Sequence, residues 1–405
     1  MSTAKSGLQY RDLGGIDKYI TGRVGATENT VPFGWGHELM ERYAVYADKL
    51  EIVSDSAKFG QRPVFRVDKS KGDLIGQLSV RIRLPALPQP GGGYAGWTNA
   101  VAFAMFDKIE FLIDTRVVST LTDDLLDIRF QQTTPTDLLE QQSAQVGYFQ
   151  DVSDLAGNAL VATDYFFNLP FPTSWERALP VYLAPHSNIE VKFYIKSFAQ
   201  CITCVPAAPA LQEIVDLSVY VQYISVPDAM KAEMFPRNEA TFLYEQYLTN
   251  NGNDATVAAQ ESTQELAFKG AVKVVFFILK DPQSLVNNDW LNYSAYGTAQ
   301  PLLEEAGLVI DGLDIRPTED EYILRTYDQN QWNPALTSKY IYQYTFSDFP
   351  WRYQPGGGTW NFSLSNGTKP RLRLKLTAPN LVLKAYAISY NALVMRGGRF
   401  TVLYA

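Results

Sequence analysis

Between Leu217 and Tyr247 the chain forms a strand, stops, passes through a short helix and starts again. Leu217, Val219, Val221 and Tyr223 alternate with Ser218, Tyr220, Gln222 and Ile224, the two-residue period of a strand with one strongly buried face. Pro227 cannot donate to a ladder and Asp228 readily opens a helix, so the strand ends there. Ala229–Phe235 suits a short helix, Pro236 closes it, and a polar restart at Arg237–Glu239 leads into a second strand over Thr241–Leu248. The interruption divides 405 residues into two parts of similar size. A chain of that length exceeds one small core, and domains usually hold roughly 100–250 residues, so two domains are expected.

Both parts read as β-structure. Aromatic residues make up 13% of the chain, with 24 Tyr and 22 Phe, and such side chains suit pleated, half-buried surfaces. Gln77–Leu84 alternates cleanly, with Ser79, Arg81 and Arg83 on the wet face. Further strands are expected over Tyr43–Val53, Ala100–Phe106, Lys108–Ile113, Tyr165–Leu169, Val181–Leu183 and Ile189–Ile195. Ala271–Leu279 is nearly all apolar, as in a strand covered on both faces. Asp123–Phe130 and Thr136–Gln145, the latter with Asp137 as its cap, read as helices inserted between strands, and so does Pro282–Tyr293. Pro88–Gly96 reads as a flexible connection, since no Gly-Lys-Ser/Thr follows its glycines.

The halves repeat one order. Leu112, Ile113, Asp114, Thr115 is echoed by Val309, Ile310, Asp311, Gly312. Ile189–Ile195 and Leu217–Val226 close the first half as Leu372–Leu376 and Lys384–Val394 close the second. The shared order implies two similar β-sandwiches in tandem.

The residues carry little catalytic chemistry. Net charge is −8, which disfavours a broad nucleic-acid face. Lys5, Arg11, Lys18 and Arg23 outnumber Asp12 and Asp17 in a terminal arm that reads as solvated. Two histidines, His37 and His186, cannot build a several-imidazole metal site. Cys201 and Cys204 form one C-x-x-C in the loop-like run Gln200–Pro209, with no second pair, and read as reduced loop cysteines. A glycosidase needs two carboxylates and aromatic lining. The candidates Asp123 with Asp124, Glu304 with Glu305, and Glu319, Asp320, Glu321 all read as solvated faces. Trp175, Trp290, Trp332, Trp351 and Trp360 read as core or interface residues before sugar platforms. Sequons occur at Asn292, Asn361 and Asn366. Met1–Gly7 is polar and no apolar run is long enough to span a bilayer, so a soluble protein made in the cytosol, without signal peptide or cofactor, is expected.

Several segments together bring a family into view. Gly72–Pro85, G-D-L-I-G-Q-L-S-V-R-I-R-L-P, resembles the first long strand of the double jelly-roll major capsid proteins of nucleocytoplasmic large DNA viruses and related double-stranded DNA viruses. Asp17–Gly22 resembles the family's N-terminal segment, and Lys108–Asp114 with Val117, Leu169-Pro170-Phe171 with Ala178-Leu179-Pro180, and Asn188–Phe193 resemble first-domain segments. Asp228–Phe235 with Tyr244–Gln246 resembles the family's connection, and Trp360–Ser363 and Tyr386–Val394 its last strands. The ending Arg396–Arg399 lacks the Ser-Gly-Met character common there.

The resemblance implies an all-β fold of two tandem eight-stranded antiparallel jelly-roll sandwiches with short helical insertions. The expected division is an arm over 1–25, a first jelly roll over 26–226, a connector over 227–240 and a second jelly roll over 241–405. It further implies a non-enzymatic capsid subunit whose homotrimers pack as pseudo-hexagonal capsomers in a virion. The implied partners are neighbouring capsomers and minor capsid proteins, reached through the arm, with room for an internal membrane beneath the shell and no direct nucleic-acid contact. A minor or penton capsid protein on the same fold, or a carbohydrate-binding β-sandwich, is the alternative.

Overall fold

The structure, a computed structural model, describes residues 44–403 except 92, 136, 150–158, 171–177, 206–208, 227, 236–239, 251–254, 354–356 and 363–369. The arm with Lys5, Arg11, Lys18 and Arg23, the Asp17–Gly22 segment, His37, Phe171, Trp175, Pro227, Pro236, Arg237–Glu239 and Asn366 lie outside the described residues.

The first half runs β1 (Ala44–Lys49), β2 (Glu51–Ser54), β3 (Val64–Arg66), β4 (Leu74–Leu84), β5 (Tyr94–Trp97), α1 (Val101–Ala104), β6 (Phe106–Ile113), β7 (Arg116–Thr122), α2 (Asp123–Thr133), α3 (Leu139–Val146), β8 (Thr163–Leu169), β9 (Leu179–Pro180), β10 (Ile189–Ile195), β11 (Ile202–Val205) and β12 (Asp216–Ser225). Helix α4 (Asp228–Met234) follows. The second half runs β13 (Ala240–Thr249), β14 (Ala255–Val257), β15 (Glu261–Glu265), β16 (Ala271–Lys280), α5 (Pro282–Val286), β17 (Leu303–Ile310), β18 (Leu313–Asp320), α6 (Glu321–Trp332), β19 (Tyr342–Thr345), β20 (Trp360–Asn361), β21 (Arg371–Leu376), β22 (Leu381–Arg396) and β23 (Arg399–Val402).

Sheet order reveals the repeat. In the first half β1-β12-β4-β8 face β3-β10-β6-β7, with β2 added beside β3. In the second, β13-β22-β16-β19 face β15-β21-β17-β18. Counting the main strands of each half in chain order, both read first, eighth, third, sixth in one sheet and second, seventh, fourth, fifth in the other. That is the jelly-roll order, antiparallel throughout. The echoed turns occupy the same place, between fourth and fifth strands. Asp114 and Thr115 have φ of 49° and 69°, Asp311 and Gly312 54° and 77°, as a two-residue hairpin with positive φ at both positions requires. Thr115 is β-branched in that region, a strained placement worth roughly 1 kcal/mol. Thr115→Gly is therefore expected to raise the unfolding free energy by about 1 kcal/mol in urea titration.

The cores explain the strand patterns. In β4, Leu78, Val80, Ile82 and Leu84 are fully buried while Arg83 stays exposed, as the alternation predicts. Strand β16 is buried almost throughout because its two faces serve two cores. Val275, Phe277 and Leu279 pack in the second sandwich. Val274, Phe276 and Ile278 pack in a cluster continuous with the first sandwich's core. The second sandwich thus lays one of its sheets against the first.

Local expectations fail where a short apolar run has no periodicity to read. Ala100–Phe106 is not a strand: Ala100 turns at φ 48°, α1 follows, and β6 begins at Phe106. Val181–Leu183 is a 3₁₀ turn after β9. Tyr94–Gly96, expected as the end of a loop, instead joins Trp97 in β5, which pairs with β11, itself running through the supposed cysteine loop. Helix α3 has Leu138, not Asp137, at its N-cap, with no side-chain cap hydrogen bond. In Pro282–Tyr293 the helix stops at Val286. Helix α6, unforeseen, follows the fifth strand of its sandwich as α2 does in the first. Thr122 caps α2 and Asp320 caps α6 by accepting from the N–H three residues on.

Candidate functional site

The side chains that tie the halves together radiate from α2. Its first turn carries Asp123 and Asp124, favourable near the positive end of a helix dipole. Neither lies on a solvated face as expected: Asp124 and, one turn on, Asp127 are 0% exposed, and Asp123 is 4% exposed. The helix buries its acids because the second sandwich presents lysines opposite. Asp124 Oδ1 meets Lys280 Nζ at 2.6 Å and Asp124 Oδ2 meets Lys384 Nζ at 3.0 Å. Asp127 Oδ2 meets Lys339 Nζ at 2.7 Å. Asp123 is matched within its own half by Lys196 at 2.5 Å.

Tyrosines complete the carboxylates' hydrogen bonding. Tyr386 donates to Asp124 Oδ2 at 3.0 Å, and Tyr293 donates to Asp127 Oδ2 at 2.9 Å and Asp124 Oδ1 at 3.3 Å. Burial opposes ionisation of Asp124, but Lys280 and Lys384 outweigh it and hold the carboxyl well below the usual carboxylate range. Burial pulls Lys280 below the ordinary lysine range, against the attraction of Asp124. Burial, reinforced by the neighbouring carboxylates, drives Tyr293 and Tyr386 well above the usual tyrosine range, which keeps both as donors.

Around this centre the seam is keyed by polar contacts. Arg129 donates to Tyr247 at 2.8 Å, Trp351 Nε1 to Gln132 Oε1 at 3.0 Å, and Trp290 Nε1 to the Gln200 carbonyl at 2.8 Å. Asn288 donates to the carbonyls of Ala199 and Ile202 at 2.8 and 2.9 Å. Trp290 also lies under Lys196, whose Nζ is 4.2 Å from the ring centroid. Such a network contributes little net free energy when intact, because desolvation offsets attraction, but it penalises any other alignment of the halves.

Two further contacts reinforce the alignment. The turn between β22 and β23 docks on the first half: His186 N–H donates to the Gly398 carbonyl at 3.0 Å, and Phe400 N–H to Ser187 Oγ at 2.9 Å. A Cβ at Gly398 would come 2.8 Å from the His186 ring. His186 is thus a docking residue in an exposed turn. The connector adds a surface contact in which Lys231 pairs with Asp73 at 2.7 Å and Asp228 at 3.1 Å. Because that pair is partly solvated, Lys231→Ala should lower the unfolding free energy by no more than about 1 kcal/mol in denaturant titration.

The other sequence candidates serve structure. Glu304 and Glu305 share Lys375 on an exposed sheet face, Glu319 lies 3.7 Å from Arg316, Asp320 caps α6, and Glu321 pairs with Arg325. Among the described residues no three His, Cys, Asp or Glu side chains gather as a metal site. Cys201 and Cys204 are free thiols, Cys201 buried, and burial pushes its thiol up to about 12. Trp360, at 37%, is the exposed one among the described tryptophans; Trp97 is buried and Trp290, Trp332 and Trp351 are half-buried. Asn292 is held in a turn by Asp289 and Ser294, and Asn361 lies in β20. No described helix is long and apolar enough to cross a membrane. The buried lysines carried a readable signal: Lys273 and Lys280 sit in or at the end of a run apolar on both faces, and a lysine so buried needs a carboxylate. Lys273 has Glu245, at 2.5 Å.

Comparison with known proteins addresses the same architecture. Residues 37–227 match the family model described as the major capsid protein N-terminus. No curated protein sequence matches the chain. Among solved structures, a quasi-atomic model of the PBCV-1 virus capsid superposes with a TM-score of 0.73 at 18% identity, over 90% of this chain and 97% of that one. The Faustovirus major capsid protein gives 0.72 at 10% identity over 97% of each chain. The STIV MCP, from the Sulfolobus turreted icosahedral virus, gives 0.56 at 9% over 86% and 96%. At these identities the likeness is one of fold, and it extends across both sandwiches. The first sandwich thus matches the major capsid protein N-terminus model, and the whole chain has the double jelly-roll fold of these capsid structures.

Proposed function

We propose that the chain builds an icosahedral virion shell as a homotrimer, three subunits of two jelly rolls each forming a pseudo-hexagonal capsomer. The observation that carries this reading is the repeated strand order of the two sandwiches, keyed into one unit by the buried seam. A heterologous contact closes under three-fold symmetry, and six similar sandwiches then offer six nearly equivalent lateral faces. The units in this reading are a first jelly roll over 26–226, a connector over 227–240 and a second jelly roll over 241–405. A subunit contact above roughly 2,000 Å² is expected for a permanent assembly. Tyr322, Ile323 and Tyr327 on α6 are exposed and supply the aromatic character such contacts favour.

The role is structural, and the site of action is the virion capsid, with assembly in the host cytoplasm. Neighbouring capsomers are the direct partners, with minor capsid proteins engaged through the arm over 1–25 and space for a membrane beneath the shell. A net charge of −8 argues against direct nucleic-acid packaging. Light scattering of the purified chain at micromolar concentration should return three chain masses. A five-chain mass would assign the penton position instead, and a stable monomer would overturn the reading.

A further inference from the structure

Beside the seam the two sandwiches leave a cleft. Strand β7 ends one sheet of the first sandwich and β13 ends a sheet of the second, and neither has a strand paired on its outer side among the described residues. Residues of both edges line a cavity of about 650 Å³, together with residues of β22. Tyr247 N–H points across it to Ser119 Oγ at 3.4 Å, whereas Asn250 N–H turns the other way, to the Ala385 carbonyl of β22 at 3.0 Å. Alternation along a strand therefore sends the Thr249 N–H toward the cleft.

From its rim at Lys108, cations extend outward over the first sandwich, toward β10 and the residues before β3. Lys108 lines the cleft and stands 4.4 Å from the Tyr194 ring centroid; Lys192 and Arg62 stand 5.1 and 5.2 Å from the same centroid. Glu110 matches Lys108 at 2.6 Å, but Lys192 and Arg62 have no carboxylate within 4 Å among the described residues. Of the acids lining the cleft, Asp123 is already paired with Lys196, which leaves Asp107. A free strand edge is matched by another backbone, and unmatched cations beside it select carboxylates.

We infer that this cleft receives an extended, acidic segment of a partner protein, added as a strand to the edge of β13 near Thr249 with its carboxylates reaching Lys192 and Arg62. The inference goes beyond the shell-building role and does not depend on it, because the cleft is lined by residues of one chain.

The test is fluorescence anisotropy on the full chain, with a labelled peptide of about ten residues alternating glutamate and valine. A lysine–valine peptide of the same length is the control. The acidic peptide should bind, weaken as salt rises, and lose about tenfold in affinity on the Arg62→Glu/Lys192→Glu double variant. Arg62 is exposed before β3 and Lys192 is on the half-buried face of β10, so the variant should retain the wild-type melting temperature. Thr249→Pro, checked for folding by circular dichroism, should weaken binding to a similar degree by removing the edge N–H. Absence of binding, equal binding of the two peptides, or unchanged affinity on the double variant would overturn the inference.

Discussion

Replacing Asp124 by asparagine is expected to cost about 3–5 kcal/mol of unfolding free energy, because it removes the carboxylate that pairs with the fully buried Lys280 and the partly buried Lys384. Asparagine keeps the size of the side chain, so the loss isolates charge from packing. The simultaneous replacement Asp124→Leu, Lys280→Met and Lys384→Met removes all three charges and should recover most of that loss. The effect has a defined pH window. The folded Asp124 carboxyl titrates well below its unfolded value of about 3.9, so its contribution is fully present above that value and is lost as pH falls through the folded one. Urea midpoints of wild type and Asp124→Asn should therefore differ by a constant amount from neutral pH down to about 4 and converge below it. A gap already closing near neutral pH would contradict the ionic account.

The second large effect is expected at Phe276, which is fully buried and stacks on Trp351 with centroids 5.0 Å apart. Phe276→Ala should cost about 3–5 kcal/mol, as should Phe277→Ala, whose ring stacks on Tyr342 at 5.1 Å in the second sandwich's own core. The two losses differ in place although the residues are neighbours, because strand alternation sends them to opposite faces. Phe276→Ala opens the seam and should speed amide exchange in α2, whereas Phe277→Ala should leave α2 protected under native conditions. Equal exchange in α2 for both variants would show that β16 does not partition its faces between two cores.

Much of the architecture was legible in the chain because its signals are local. The alternation of Gln77–Leu84, the closing strands of each half and the paired hairpin turns at Asp114–Thr115 and Asp311–Gly312 depend on side-chain period and backbone sterics alone, and each stands where it was read. Short apolar runs such as Ala100–Phe106 were not legible, since a strand and a buried helical turn look alike without a polar face. The seam was misread for a different reason. Asp123 and Asp124 resemble any exposed helix start, and only the second sandwich, more than a hundred residues away in sequence, turns them into buried anions. The stretch from Leu217 to Tyr247 joins the halves, but its Lys231 pairs are partly solvated; the buried keys lie in α2, and the turn at Gly398 adds a backbone contact with His186.

The central claim is that three chains, each a keyed pair of jelly rolls, make one capsomer. Cryo-electron microscopy of the purified protein tests it most directly. The expected image is a three-fold particle with a hexagonal outline and six sandwiches, the two from each chain related as they are in the isolated subunit. Single chains, or trimers whose paired sandwiches take variable relative orientations, would contradict it.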